Sequence, residues 1–419
     1  MNIVKENQNF VAPIVNYTNK PLLEHGEGLY VFDTNGKKYI DLNSGQFCAV
    51  LGHGNKDVAK LIYDTTLNLI HVSSQLMTPD TIDTAKLVHD ICPEMNAYVT
   101  FLSTGAEANE CCLRYAKHLN GNRAGIVSFD VAYHGISHGT EGYSMGRQYV
   151  KPRVNAAFVI PAPIDETFCA ESIDAFEKIL QENHNEIAAA LFEPIVSSGG
   201  MIYPPKEYWQ EIRRLCDKYK IYFIFDECQT GFGRTGTYFY YQQLNCIPDF
   251  ITCAKSAGLG FPVSLVIFNG NKIDCSKFDM IHFSSHQNDP LSAVLVKFLI
   301  ESINKNNLLD KIKNTGAYLV AKLKNLAANY PQFILNPRGK GLMCGFNLGI
   351  SHLPSKEKFS LLKQCDDFCE LGLDNGIIIQ GCNVGQTIRI LPGLIATNDD
   401  IDFFIERLQK TVRDYLSRF

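Results

Sequence analysis

The sequence lacks the features that would assign the chain to several large classes of protein. It contains no Cys-x-x-Cys pair among its 14 cysteines, and no apolar run of the roughly 20 residues that a bilayer-spanning helix needs. Its first ten residues, MNIVKENQNF, have neither the cationic start nor the apolar stretch of a secretory signal. We therefore expect a cytoplasmic protein with no membrane partner.

An excess of basic residues is also absent. The chain has 39 Lys and Arg against 44 Asp and Glu, with a net charge of −5 and no basic stripe, so we expect no nucleic-acid partner. The cysteines are scattered through a long chain without signs of secretion. We expect most of them to be reduced, small buried side chains, and we predict neither a disulfide framework nor a structural metal site.

What the sequence does contain is a regular alternation of short apolar runs and amphipathic segments between about residues 85 and 270. Continuous apolar strands separated by helices are typical of a parallel sheet that helices cover on both faces. We therefore predict an α/β fold with a mostly parallel, doubly wound sheet. The predicted strands include residues 98–102, 125–129, 188–192, 221–225 and 250–253, and helices are predicted over 172–182 and 206–219.

The pattern changes after about residue 290. Two long helices are predicted over 291–304 and 311–329, followed by a shorter α+β pattern. Its elements are RGKGLMCGFNLGI (338–350) as a strand, a helix over 356–372, GIIIQG (376–381) as a strand, and a helix over 399–416. We predict a large domain of residues 46–305, a small α+β domain of residues 306–419, and an N-terminal segment of residues 1–45 that packs with the small domain.

Charged side chains follow two of the predicted strands. In an open parallel sheet, ligands bind beyond the carboxyl ends of the strands. Lys255 follows 250–253, and a lysine at the end of a buried strand is costly unless it reacts, for example as a Schiff-base nucleophile, or reaches the surface. Asp226 follows 221–225 and either caps a helix or keeps a pyridinium nitrogen protonated, as in pyridoxal-phosphate enzymes. Gln229 could then bond the ring oxygen.

A glycine-containing turn follows the strand at 98–102. Its sequence, STGAEANE, leads into a helix, and free N–H groups at a helix start suit a phosphate, which the small residues Gly105 and Ala106 would let approach. The turn is neither a Walker A loop nor a GxGxxG fingerprint, and it could also be an ordinary helix start.

Three further residues are candidates for a site. Tyr133, in DVAYHG, could stack on a flat ring or lie in the core. Glu193 follows the strand at 188–192. Arg389, in the apolar segment TIRILP, requires a carboxylate, either from the protein or from a substrate.

Together these motifs resemble the class III pyridoxal-phosphate aminotransferases of fold type I. The resemblance runs from about residue 26 to the end of the chain. It rests on GEGLYVFDTNGKKYIDL, LGHGNKDV, STGAEANE, YHG, FEP with SSGG, FDECQTGFGRTG, CAKSAGLGFP, RGKGLMCG and TIRILP. It implies that pyridoxal 5′-phosphate is the cofactor and that an amine or amino acid passes its amino group to a 2-oxo acid by ping-pong transamination. It also implies a homodimer, or a dimer of dimers, with shared active sites.

The resemblance implies a role for each matching residue around the cofactor. Lys255 would hold the cofactor as a Schiff base and later move a proton. Asp226 would pair with the pyridine nitrogen, and Gln229 would bond the phenolic oxygen. Gly105 and Ala106 would cradle the phosphate.

It also implies roles toward the substrate and the second subunit. Tyr133 would stack on the cofactor ring, and Arg389 would bind the substrate α-carboxylate. Glu193 would be able to pair with Arg389 when that carboxylate is absent. Ser285 stands where the family usually has a threonine, and it would reach the phosphate of the partner subunit.

Within this family, SGQFCAVLGH, FEPIVSSGG and SSHQNDPLSA are similar to segments of 2,2-dialkylglycine decarboxylase. There the residue matching Gln46 helps to orient the carboxylate that is lost, although Tyr133 replaces a tryptophan. A decarboxylation-dependent transaminase, an epimerase on the same fold and a non-catalytic binding protein therefore stay open as alternatives. The resemblance also suggests an alkali cation near Ser285, Gln287 and Asp289, which could equally form an ordinary polar turn.

Overall fold

The chain alternates strands and helices in the computed structural model, which describes residues 12, 20–144, 157–278, 280–349, 361–382 and 386–419. The strands are β1 (Leu23–Glu27), β2 (Tyr30–Asp33), β3 (Lys38–Asp41), β4 (Tyr98–Leu102), β5 (Gly125–Phe129), β6 (Ala157–Ile160), β7 (Ile187–Phe192), β8 (Tyr222–Asp226), β9 (Phe250–Cys253), β10 (Ser264–Phe268), β11 (Ile334–Lys340), β12 (Met343–Leu348), β13 (Ile377–Ile378), β14 (Gln380–Gly381) and β15 (Thr387–Ile390). The helices are α1 (Ser44–Phe47), α2 (Lys56–Asn68), α3 (Pro79–Asp90), α4 (Gly105–Leu119), α5 (Glu166–Asn183), α6 (Lys206–Tyr219), α7 (Tyr241–Leu244), α8 (Pro290–Lys305), α9 (Leu308–Asn329), α10 (Leu361–Asp374) and α11 (Asn398–Leu416).

A central sheet of seven strands carries the site described below. The strand order is β4-β10-β9-β8-β7-β5-β6, and the pairs among β9, β8, β7, β5 and β6 are parallel. β10 runs antiparallel to both of its neighbours, so β4 points the same way as β9. The predicted α/β fold with a mostly parallel sheet is confirmed, and the carboxyl ends of six strands lie at one edge.

Burial on both faces explains why the central strands are continuous apolar runs. Every residue of β5, β7 and β10 is buried. The helix α6 buries one face, formed by Tyr208, Trp209, Ile212, Leu215 and Cys216, at the three- and four-residue spacing of an amphipathic helix. These features place the hydrophobic core around the central sheet.

Two smaller sheets bring the two ends of the chain together. One has the order β1-β2-β3-β13, and the other has the order β11-β12-β15-β14. Because β13 pairs with β3, the N-terminal segment packs on C-terminal residues, at least from residue 20 onward. Residues 1–11 and 13–19 of the predicted N-terminal segment lie outside the described residues, and the three domain boundaries stay a prediction.

Two of the predicted strands are wrong. Residues 338–350 were expected to form one strand, but β11 and β12 form a hairpin that turns at Gly341, where φ is +54°. Residues 376–381 were also expected to form one strand, but β13 and β14 belong to different sheets. The predicted helix over 356–372 corresponds to α10, and residues 350–360 lie outside the described part.

The cysteines agree with the expectation from the sequence. All 14 lie in the described part of the chain, none of them is in a disulfide there, and most are buried. None of the helices in that part has both the length and the apolar character needed to cross a bilayer.

Candidate active site

Three chain segments meet at the carboxyl edge of the central sheet. Asp226 ends β8, and Lys255 follows the neighbouring parallel strand β9, in which Thr252 pairs with Asp226. The helix α4 starts at Gly105 after β4. A Cβ atom added to Gly105 would lie 3.0 Å from the Cys228 sulfur and 3.3 Å from the Ala254 Cβ. The fold therefore brings the predicted phosphate turn beside the segments that carry the aspartate and the lysine.

Asp226 is a buried carboxylate that stays ionised. Its Oδ2 accepts hydrogen bonds of 2.8 Å from the side chains of both Asn109 and His134, and its Oδ1 accepts one of 3.0 Å from the Cys228 N–H. Burial opposes the ionisation of this carboxylate. The pKa of Asp226 is nevertheless lowered to about 2 by the hydrogen bond and charge of His134, the bond from Cys228 and the nearby Lys255 ammonium. The carboxylate is thus a fixed negative charge at the strand end.

A polar network behind Asp226 was not predicted from the sequence. Asn109, on α4, also donates to the His134 carbonyl and accepts a 2.7 Å bond from the Thr252 hydroxyl. His134 is buried, and its Nε2 has no hydrogen-bond partner. The histidine stands directly after Tyr133 in the YHG motif, so the signal was present. Its contact with Asp226, 92 residues further along the chain, could not be predicted from the sequence.

Lys255 is half-buried and begins the turn Lys255–Gly258 with a φ of +46°, a conformation that residues other than glycine rarely adopt. Its amine makes no hydrogen bond or ion pair with the described residues. Gln229, three residues beyond Asp226, is buried, and its Oε1 also has no partner. Backbone strain at a lysine whose amine is free is typical of a functional position.

Glu193 and Arg389 lie close together without pairing. Glu193 accepts bonds from the N–H groups of Tyr133 (2.9 Å) and Ser197 (3.2 Å), and burial raises its pKa to about 6. The Arg389 guanidinium donates 3.3 Å bonds to the Ser198 hydroxyl and the Gly381 carbonyl. The ion pair suggested by the resemblance is therefore not made. The Arg389 Nε is buried without a partner, so the hydrogen bonds of this cation go only to neutral oxygens.

The helix α1 is a left-handed turn that faces the same edge. Its four residues have φ values between +42° and +70°, and three of them are not glycine. Asp41 holds the turn by accepting bonds from the Gly45 N–H (2.7 Å) and from His53 (2.9 Å). The turn packs against Lys255–Gly258 and places the Phe47 ring 5.1 Å from the Arg389 guanidinium. Gln46, in the middle of the turn, is exposed.

Comparisons with known proteins agree with this geometry. The family model of the class-III aminotransferases matches residues 14–412. The chain is 31% identical to an acetylornithine aminotransferase of Methanosarcina mazei, over 94% of this chain and 92% of that protein. It is 29% identical to an uncharacterised aminotransferase of Schizosaccharomyces pombe, over 96% and 95% of the two chains. The chain belongs to the class-III aminotransferase family. A thermostable (S)-enantioselective omega-transaminase from Thermomicrobium roseum has the same fold, with a TM-score of 0.88, 28% identity, and coverage of 99% and 98% of the two chains.

As a class-III aminotransferase, the protein is a pyridoxal-phosphate-dependent transaminase whose substrates are an amino donor and a 2-oxo acid. The described residues fit that cofactor on three observations. Asp226 supplies the permanent charge that a pyridinium ring needs. Lys255 has a free amine on the adjacent strand end, and Gln229 has an amide oxygen without a partner.

The remaining predicted residues of this aminotransferase lie before α8. Ser285 is exposed, the Gln287 Oε1 is buried without a partner, and Asp289 is the N-terminal cap residue of α8. The alkali-cation site stays a prediction.

Proposed function

We propose that the transaminase uses Lys255 and Asp226 as its catalytic pair and Arg389 as the anchor for a substrate carboxylate. The observation that carries the proposal is the position of an ionised, buried Asp226 at one strand end beside the free amine of Lys255 at the next. Few arrangements other than an electron-poor cofactor ring would use a carboxylate that three donors keep charged in the protein interior.

When bound, pyridoxal phosphate supplies a protonated ring that withdraws electrons from the bonds at the substrate Cα. In the proposed site, Asp226 would hold the proton on the ring nitrogen, and the Gln229 side-chain amide would hydrogen-bond the ring oxygen. The N–H groups of Gly105 and Ala106, at the start of α4, would bind the phosphate. Tyr133 would cover a face of the ring.

Lys255 has two tasks in this proposal. Its amine would tie the cofactor to the protein, and once freed by a substrate amine it would serve as the base that takes the proton from the substrate Cα and as the acid that returns it. The half-buried position of Lys255 supports both tasks, because part of the residue remains accessible to a substrate.

Arg389 sets the class of substrate. A buried guanidinium that contacts only neutral oxygens is poorly compensated, and a carboxylate that binds it bidentately would complete its environment. Both a 2-oxo acid and an α-amino acid present such a group. Glu193, whose charge favours the ionised form of Arg389, would stabilise the cation between turnovers.

The substitution Arg389→Gln tests this assignment. We expect the KM for a 2-oxo acid to rise roughly 10–100-fold, because a charged hydrogen bond contributes about 1.5–3 kcal/mol. Steady-state kinetics with a varied 2-oxo acid measures this change. The matched control is the half-reaction with a primary amine that has no carboxylate, whose rate should change little, and Arg389→Lys should lose less than Arg389→Gln. An unchanged KM for the 2-oxo acid would rule out the anchor.

We also propose that the protein is a homodimer with shared sites. Ser285 is exposed, and in this dimer it would bond the phosphate of the partner subunit. The segment from α2 to α3 exposes several large apolar side chains, which fits a surface covered by a second copy: Tyr63, Leu67, Ile70, Leu76 and Met77.

A decarboxylation-dependent transaminase is the second candidate, and the position of Gln46 favours it. Gln46 lies at a φ of +67° in the left-handed turn that packs on Lys255–Gly258, one residue before the Phe47 ring that faces Arg389. A polar side chain held there in a strained backbone could orient a carboxylate for loss rather than for retention.

Capture of carbon dioxide distinguishes the two candidates. Purified holoenzyme would be supplied with 2-aminoisobutyrate and pyruvate, and the released carbon dioxide would be measured. Release at a rate matching alanine formation, reduced at least about tenfold in Gln46→Leu, supports decarboxylation. No release, together with turnover of ordinary amino donors, supports simple transamination. Turnover that needs no 2-oxo acid would instead indicate an epimerase.

A further inference from the structure

Two histidines and an aspartate meet outside the proposed cofactor site. They are His71, in the segment between α2 and α3, and His286 and Asp289, in the turn that leads into α8. The Nδ1 atoms of His286 and His71 lie 2.7 Å and 3.2 Å from the same Asp289 oxygen, Oδ2. The three potential ligand atoms all lie within 4.8 Å of one another.

We propose that these three residues bind a divalent transition-metal ion of the zinc type. Zinc forms bonds of about 2.0–2.2 Å with imidazole nitrogen and carboxylate oxygen, so a tetrahedral site holds its ligand atoms about 3.4 Å apart. The two distances to Asp289 Oδ2, 2.7 Å and 3.2 Å, are near that spacing, and all three ligand atoms lie within 4.8 Å, so side-chain rotations would be needed to complete the geometry. Three protein ligands leave one position for water or another ligand.

A second observation points to a ligand at this place. Asp289 is buried, with 8% of its surface exposed, and its Oδ1 has no hydrogen-bond partner. Its other oxygen, Oδ2, lies within hydrogen-bond distance of both histidines. Only one of the two oxygens of this buried carboxylate therefore has a partner. A metal ion bound to Asp289 would compensate that buried charge.

The chemistry of the ligands selects the class of metal. Imidazole nitrogens suit zinc, copper, iron and nickel, whereas alkali and alkaline-earth ions prefer oxygen. Two of the three ligands here are imidazoles, so the structure favours a transition metal over an alkali cation at Asp289. The histidine side chains are 39% and 62% exposed in the single chain. Because His71 follows Ile70 in the segment that the proposed dimer covers, the ion would lie beside that interface.

A bound ion would join two segments that are distant in the sequence. His71 and His286 are on separate segments, and their rings lie 4.8 Å apart. The second segment also carries Ser285. Metal binding would therefore restrain the turn from which Ser285 projects, and it should stabilise the folded protein because the unfolded chain has no such site.

The test measures metal binding to the holoenzyme directly. Zn²⁺ affinity would be measured by competition with a chromophoric chelator, and Co²⁺ would report the ligands through its visible spectrum. We expect one high-affinity ion per chain, weakened at least about tenfold by each of His71→Ala, His286→Ala and Asp289→Asn. Asp289→Asn is the most informative variant, because asparagine is an equally good residue at a helix N-cap and α8 should still form.

Two controls separate this site from adventitious binding. His138→Ala removes a fully exposed histidine near Glu141, outside the cluster, and should leave the affinity unchanged. An intense sulfur-to-cobalt absorption band would mean that cysteines bind the ion instead. Zn²⁺ should also raise the unfolding temperature of the wild type but not of Asp289→Asn. Equal affinity in all variants, or no binding at about 100 μM Zn²⁺, would overturn the proposal.

Discussion

Replacing Lys255 with alanine should abolish transamination. We expect kcat to fall by at least about 10³-fold, because the change removes both the amine that binds the cofactor and the group that moves the Cα proton. The protein should also lose the visible absorbance of its cofactor. After borohydride treatment, the peptide that contains residue 255 should no longer carry the added mass of the cofactor. Activity, absorbance and peptide mass are three independent measurements of the same change.

A lysine elsewhere in the large sheet region provides the matched control. Lys117, on α4, is half-buried, and burial lowers its pKa, so its amine is the kind that could react with an aldehyde nonspecifically. Lys117→Ala should keep the absorbance, the labelled peptide and most of the activity. If the label instead moved to residue 117, or survived in Lys255→Ala, the assignment of the cofactor lysine would be wrong.

Replacing Asp226 with asparagine should have the second largest effect. Asparagine keeps the shape but removes the charge that would hold a proton on the cofactor ring, and the loss of one preorganised electrostatic group in an active site typically costs about 10²–10³ in kcat. The change should appear in kcat rather than in the KM for the 2-oxo acid, since Arg389 is untouched. Single-turnover half-reactions with an amino donor measure this step.

The pH dependence of this step follows from the pKa of Asp226. That pKa is about 2 in the folded protein, below the ordinary value near 4. The ionised carboxylate therefore stabilises the fold above about pH 4, and this contribution is lost as the pH falls toward 2. Between pH 5 and 9 Asp226 does not titrate. The pH profile of kcat for Asp226→Asn should therefore keep every inflection that the wild type shows in this range.

The neighbouring Glu227 serves as the control for Asp226. Glu227 is equally buried, but its oxygens accept bonds from the Tyr240 and Tyr241 N–H groups and the Thr230 hydroxyl. Burial raises its pKa to about 7. Glu227→Gln should change kcat only several-fold when measured below its unfolding temperature. An Asp226→Asn enzyme with kcat within threefold of wild type would contradict the proposed role.

The sequence predicted the elements whose signals are local. The strands Tyr98–Leu102, Gly125–Phe129 and Phe250–Cys253 have the predicted bounds, and α6 does as well, because apolar runs and amphipathic periods are short-range patterns. The charged residues at strand ends were found for the same reason. A buried strand that stops at Asp226 or just before Lys255 is visible within ten residues of sequence.

Features that depend on tertiary contacts were missed. The bonds from His134 and Asn109 to Asp226 join residues about a hundred positions apart, and no local pattern indicates them. The turn at Gly341 was missed because a single glycine between Lys340 and Leu342 does not by itself distinguish a turn from a continuous strand. Glu193 accepts bonds from the Tyr133 and Ser197 N–H groups rather than from Arg389, and these contacts are visible only in the folded chain.

The left-handed turn at Ser44–Phe47 links the assembly of the site to the order of protein synthesis. The Ser44 hydroxyl bonds the Leu391 carbonyl at 2.7 Å, and the N–H of Leu391 bonds the Leu42 carbonyl at 2.7 Å. Lys255, Asp226 and α4 all leave the ribosome well before residue 389 is made. A nascent chain can thus form the part of the site proposed to hold the cofactor before it forms the part proposed to bind the substrate carboxylate. A chain that ends before residue 389 would lack the second part.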